Sequence, residues 1–178
     1  SCVSVCPVVA TDKREEGGIV SQIPPRCIGC RYCMASCPYH ARYFNWYDPK
    51  WPGDLDRTLT PDVSTRPRGV VEKCSFCHHR WMHAKDAAIL KGEDPMDLPD
   101  GAYITACTEA CPNGAITFGD LNNPKHKVYE LRQSPHAFRL LERLGTEPQV
   151  YYLSKREWVR RQGDNYLEHE ATGDNKKV

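Results

Sequence analysis

The 178-residue sequence has no apolar run approaching the ~18 residues that a membrane-spanning helix needs. The chain is therefore expected to have no transmembrane segment of its own. It also lacks an excess of either charge: 24 Lys and Arg against 23 Asp and Glu give a net charge of +1. That balance points away from nucleic acid and from an anionic membrane surface as binding partners. No nucleophile stands beside a base in a pattern that suggests catalysis. Apolar residues make up only 40%, and 12 Gly and 14 Pro suit a loop-rich fold with a thin core. What is plentiful is cysteine. Ten in this length call for disulfides, zinc or iron–sulfur clusters.

All ten fall into three groups. The first is Cys2-x3-Cys6-Pro7. The second is Cys27-x2-Cys30-x2-Cys33-x3-Cys37-Pro38. The third is Cys74-x2-Cys77, then 29 residues, then Cys107-x3-Cys111-Pro112. Each group ends in the same short repeat, C-x3-C-P-x-x-A, with Ala10, Ala41 and Ala115 in last place. A β-prone stretch follows each copy: Val8 and Val9, Tyr43 and Phe44, and residues 116–118. A polar turn and a short strand at 18–20 join the first two groups. Residues 48–70 are rich in Pro, Asp and Arg and are expected to form an irregular loop. Residues 84–92 predict a helix ended by Gly92. Residues 134–145 carry helix punctuation, with Ser134 to cap, Pro135 at the first position and Gly145 beyond the end. Residues 149–154 predict a strand, and from 163 onward the polar tail is expected to be disordered or partner-bound.

The second group has bacterial ferredoxin spacing. Three cysteines at intervals of two let one tight loop, with Gly29 at its centre, turn its thiolates to three corners of a cubane. The fourth, followed by Pro, ligates the other cluster of a pair. Crossed in this way, Cys27, Cys30 and Cys33 take Cys6 as their fourth ligand. Cys37 and Cys2 share another cluster. Cys74, Cys77 and Cys107 hold three corners of a third, and Cys111 serves a fourth. Three rival readings use the same residues. Disulfides within such close pairs would be poor long-range staples and leave the Pro repeat unexplained. A zinc ribbon could use Cys74, Cys77, Cys107 and Cys111, making the chain a zinc-stabilised interaction module. Cys74-x2-Cys77-His78 matches the haem c attachment pattern, but haem there would orphan Cys107 and Cys111, so no thioether-bound haem is expected. His78, His79 and His83 then read as surface or interface residues. The aromatic residues Tyr32, Tyr39, Tyr43, Phe44, Trp46 and Tyr47 are expected to shield the cluster from water.

With CIGCRYCMASCPYHARYFNW, the split group KCSFCHHR and ACTEACPNGAITFGDLNNP, and LGTEPQVYYL, residues 1–161 resemble the four-cluster ferredoxin-type subunit of the complex iron–sulfur molybdoenzyme family. The CIGCRYC and RYFNW stretches lie nearer its Qrc-like and Dsr-like branch. The resemblance implies an α+β, bacterial ferredoxin-like fold with pseudo-symmetric cluster-binding repeats. The halves would be 1–47 and 71–120, separated by the 48–70 insertion and followed by a helix–strand extension over 121–162 and a flexible tail at 163–178. It implies up to four [4Fe–4S] clusters, one possibly [3Fe–4S], in a subunit that relays electrons and does not itself catalyse. The implied partners are an integral membrane quinone-interacting subunit and a molybdopterin-family-like or multihaem cytochrome subunit. The implied location is the periplasmic face of the cytoplasmic membrane. A free polyferredoxin is the rival of like chemistry. Four such clusters use sixteen thiolates, so six more are expected N-terminal of Ser1: a C-x2-C pair just ahead of Cys2, and an earlier group of four.

Overall fold

The computed structural model describes residues 1–13 and 18–164. It divides into two compact units, residues 1–118 and residues 119–178.

In the first unit, strands are short and paired two by two. β1 (Thr11–Lys13) and β2 (Val20–Gln22) form an antiparallel hairpin with the Thr11–Gln22 pair at its open end. β3 (Tyr43–Phe44) pairs antiparallel with β4 (Val71–Glu72), so the 48–70 segment is an insertion within a hairpin. Its neck is tied by Gly69 N–H to the Asn45 carbonyl at 2.8 Å, Asn45 N–H to the Val70 carbonyl at 3.0 Å, and Arg68 N–H to the Asp48 carboxylate at 2.9 Å. Within the insertion only one 3-10 turn forms, Leu55–Thr58. Two one-turn helices, α1 (Tyr32–Ala35) and α3 (Ala106–Glu109), carry Cys33 and Cys107. Between them the long helix α2 (His78–Lys91) begins earlier than residue 84 and ends as expected, at Gly92 in the left-handed region. The strand expected at 18–20 is shifted to Val20–Gln22. Val8 and Val9 form a turn, not a strand, and residues 116–118 form no strand. There Phe118 packs on Tyr103 and Phe76 with ring centroids at 4.8 and 5.9 Å.

The second unit corrects two expectations. No helix spans 134–145. Instead α4 (Lys127–Arg132) comes first, and Ala137–Phe138 is strand β5, paired antiparallel with β6 (Tyr152–Leu153). The Ser134 hydroxyl accepts from the His136 N–H at 3.2 Å, closing a local turn where a helix N-cap was expected. Leu141 then takes a left-handed φ of 52°, which a continuing helix cannot accommodate. The 3-10 turn Glu142–Leu144 does end at Gly145. Helix α5 (Glu157–Asp164) occupies the start of the expected tail, and residues 165–178 of that tail lie outside the described residues.

Candidate metal centres

The three copies of C-x3-C-P-x-x-A share one backbone design. The residue before the Cys-Pro cysteine donates its N–H four residues back: Val5 to Ser1, Ser36 to Tyr32, Ala110 to Ala106. The cysteine N–H then bonds three residues back, to Val3, Met34 and Thr108. The third residue after the cysteine bonds the cysteine's own carbonyl and is left-handed in every copy: Val9 at φ 50°, His40 at 49°, Gly114 at 58°. That reversal turns the next amide onto the sulfur. Ala10 N–H meets the Cys6 Sγ at 3.2 Å, Ala41 N–H the Cys37 Sγ at 3.5 Å, and Ala115 N–H the Cys111 Sγ at 3.3 Å. The repeat alanine thus marks the place where a backbone donor serves a thiolate. Burial works to raise the Cys6 thiol, but the amides of Val8, Thr11 and Ala10 together hold it below the ordinary value. The Ala115 amide, with those of Asn113, Ile116 and Gly114, lowers Cys111 in the same way.

Cys6, Cys27, Cys30 and Cys33 line one cavity, with Val8, Ala10, Thr11, Gln22, Arg31 and Val71 among its other walls. The hairpins deliver them: the β4 residue Val71 donates its N–H to the Cys27 Sγ at 3.4 Å. Arg31 stacks over Phe44 and Trp46, its guanidinium carbon 5.2 and 5.0 Å from the ring centroids. Burial raises the Cys33 thiol, and the neighbouring Arg42 opposes it.

Around the third group, Ala106 N–H bonds the Cys77 Sγ at 3.3 Å and the buried Thr105 hydroxyl lies 3.1 Å from the Cys107 Sγ. The Phe76 N–H bonds the Cys74 Sγ at 3.4 Å. Tyr103 joins the set. Burial pushes its phenol strongly upward, and Cys77, Cys74 and Cys107 all add to the shift, so the three cysteines face one phenol. Its hydroxyl is buried without a hydrogen-bond partner among the described residues. Cys2 and Cys74 both face Lys73, whose amine burial holds below its ordinary value. His78 stacks edge-on against Trp81 at 5.4 Å, and His83 contacts the Asp62 carboxylate at 3.2 Å.

None of the ten cysteines is paired in a disulfide. Among the described residues no three His, Cys, Asp or Glu side chains converge as ligands of a single ion. Four thiols around a shared cavity, with backbone amides on the sulfurs of Cys6 and Cys27, suit a polynuclear cluster. Of the aromatic residues expected to shield the cluster, Tyr39 and Phe44 are half-buried, with the Phe44 ring against the Gly29 loop, whereas Tyr32, Tyr43, Trp46 and Tyr47 are all more than half exposed.

Such a constellation defines an iron–sulfur cluster-binding protein of the ferredoxin type, and a family model described as a 4Fe-4S dicluster domain matches residues 1–38. The chain is 79% identical to the menaquinone reductase, iron-sulfur cluster-binding subunit of Nitratidesulfovibrio vulgaris, over 96% of this chain and 67% of that protein. It is 42% identical to the Hdr-like menaquinol oxidoreductase iron-sulfur subunit 1 of Archaeoglobus fulgidus, over 85% of this chain and 51% of that one. It is 38% identical to the B subunit of the polysulfide reductase of Wolinella succinogenes, over 85% and 60%. The chain therefore spans between about half and two thirds of the length of these relatives. It belongs to the family of iron–sulfur electron-transfer subunits of reductase complexes.

Sequence reasoning missed Arg42, Tyr103 and Thr105. Arg42 carried a usable signal. It follows the repeat alanine directly, as Thr11 does in the first copy, and the two side chains touch: Arg42 Nη1 donates to the Thr11 Oγ1 at 3.1 Å.

Proposed function

We propose that this chain relays single electrons through [4Fe–4S] clusters between a quinone-reactive membrane subunit and a catalytic or haem-bearing subunit, at the periplasmic face of the membrane. The observation that carries the reading is the cavity lined by Cys6, Cys27, Cys30 and Cys33, in a chain 79% identical to a menaquinone reductase subunit. A bound [4Fe–4S] cluster supplies one-electron redox chemistry. The chain's own part is to hold thiolates from two distant segments at one point and to aim amide donors at their sulfurs, which sets the potential.

In this reading Cys6, Cys27, Cys30 and Cys33 ligate one cluster. Cys2 and Cys37 serve a second, Cys74, Cys77 and Cys107 a third, and Cys111 a fourth, with the remaining thiolates supplied from outside this sequence. The two cluster-binding halves are pseudo-symmetric, as their shared turn design suggests. The exposed Tyr43, Trp46 and Tyr47 give the chain an aromatic surface of the kind found in subunit interfaces. No helix among the described residues is long and apolar enough to cross a membrane; in this reading a membrane subunit holds the chain there.

The test is purification of the native, full-length polypeptide from membranes without oxygen. A brown complex is expected, containing a membrane subunit, whose cluster signals appear when a menaquinol analogue is added. A colourless protein, or one that purifies alone and is reduced by dithionite but not by quinol, would overturn the proposal.

A further inference from the structure

Arg42 is only 4% exposed. Its Nη1 donates to the Gln22 Oε1 at 2.6 Å and to the Thr11 Oγ1 at 3.1 Å. The Thr11 hydroxyl in turn donates to the same Gln22 oxygen at 2.9 Å, which locks the three side chains together at the open end of the β1–β2 hairpin. The Arg42 Nη2 is buried with no hydrogen-bond partner among the described residues. Among those residues no carboxylate pairs with it either. A guanidinium cannot shed its proton to relieve burial. A buried charge held only by neutral groups is strongly unfavourable unless a counter-charge lies near. The two neutral groups that hold Arg42, Thr11 and Gln22, both line the cavity of the four thiols, and the guanidinium lies close beside Cys33. The missing counter-charge is therefore on the cavity side: four thiolates, and the sulfides of whatever cluster they bind.

We propose that Arg42 is a charge-tuning residue, a fixed buried cation that raises the reduction potential of the cluster held by Cys6, Cys27, Cys30 and Cys33. The proposal rests on the assignment of those four cysteines to one cluster. Reduction adds one electron, with no proton taken up and no bond made or broken. The donor is a neighbouring centre of the relay, or dithionite in a titration. Arg42 stabilises the more negative, reduced form over the oxidised one, and burial keeps water from screening it. Thr11 and Gln22 position the cation without cancelling it. The equivalent place in the third repeat is the apolar Ile116.

The experiment uses the full-length polypeptide in its complex, titrated with dithionite and followed by EPR. The relevant signal is the one that Cys30→Ala removes. In Arg42→Gln the ratio of reduced to oxidised cluster at the wild-type midpoint is expected to fall at least tenfold, which is ~59 mV for a one-electron couple. In Arg42→Lys, which keeps the charge, the fall is smaller. Should Arg42→Gln lose the cluster while Arg42→Lys keeps it with the smaller fall, the need for charge is supported. A fall of less than tenfold in an intact Arg42→Gln, a rise, an equal or larger fall in Arg42→Lys, or loss of the cluster in both variants overturns the proposal. The ligand assignment is judged separately. If Cys30→Ala and Cys33→Ala remove different signals, that assignment fails. If they remove the same signal and Arg42→Gln leaves its midpoint in place, only the charge proposal fails.

Discussion

Gly29 sits at the centre of the C-x2-C-x2-C loop at φ 70°, and a Cβ there would press on the Gly69 carbonyl and the Phe44 ring. Two independent costs follow: left-handed backbone, about 1–2 kcal/mol, and overpacking, about 1–3 kcal/mol. Gly53, at φ 60° with nothing near its missing Cβ, would incur only the first. Gly29→Ala is therefore expected to speed cluster bleaching in guanidinium well beyond Gly53→Ala, and equal rates would show that the close approach is unimportant. The need for glycine at 29 was legible, because a cysteine loop wrapping a cluster must bring backbone close. The cysteines were legible for the same reason: spacing is a local property. Tyr103 was not, and Arg42 was signalled only by its place after the repeat alanine. What both do depends on packing against thiols, a tertiary property that a local pattern does not announce.

Elements were legible where one local signal acted alone. Tyr43 and Phe44 form the expected strand, and Gly92 ends the expected helix. They were misread where local signals competed. Ser134 and Pro135 suit a helix start, yet Phe138 pairs with Tyr152 across β5 and β6, ring centroids 5.7 Å apart, and long-range pairing prevails. Helix α5 escaped notice because Glu157–Asp164 holds few apolar residues and a glycine. That glycine has a packing reason. A Cβ on Gly163 would collide with the Phe138 ring, and the Gly163 carbonyl accepts the Leu141 N–H at 3.0 Å. Gly163→Ala is expected to force α5 away from β5. Hydrogen exchange at the Leu141 and Ser154 amides should then rise at least tenfold, and unchanged protection would contradict this packing.

For the molecule as a whole, burial is thin. Among the described residues the buried apolar set is Ala10, Cys33, Val70, Val71, Trp81, Ala88 and Val128, and one of these seven is an expected cluster ligand. Strands of two or three residues with so small a core cannot hold a fold cooperatively, so cluster–thiolate bonds must contribute folding energy directly. Removing iron with acid and chelator is expected to abolish the cooperative thermal transition of the protein, and a sharp transition persisting in iron-free protein would contradict that. The central claim, that clusters are bridged across groups by crossed ligation, is tested most directly by EPR of the reduced, full-length protein carrying single cysteine substitutions. Cys6→Ala and Cys30→Ala should alter the same cluster signal, and Cys37→Ala a different one. If Cys6→Ala instead altered the signal that Cys37→Ala alters, and left that of Cys30 intact, crossed ligation would be wrong.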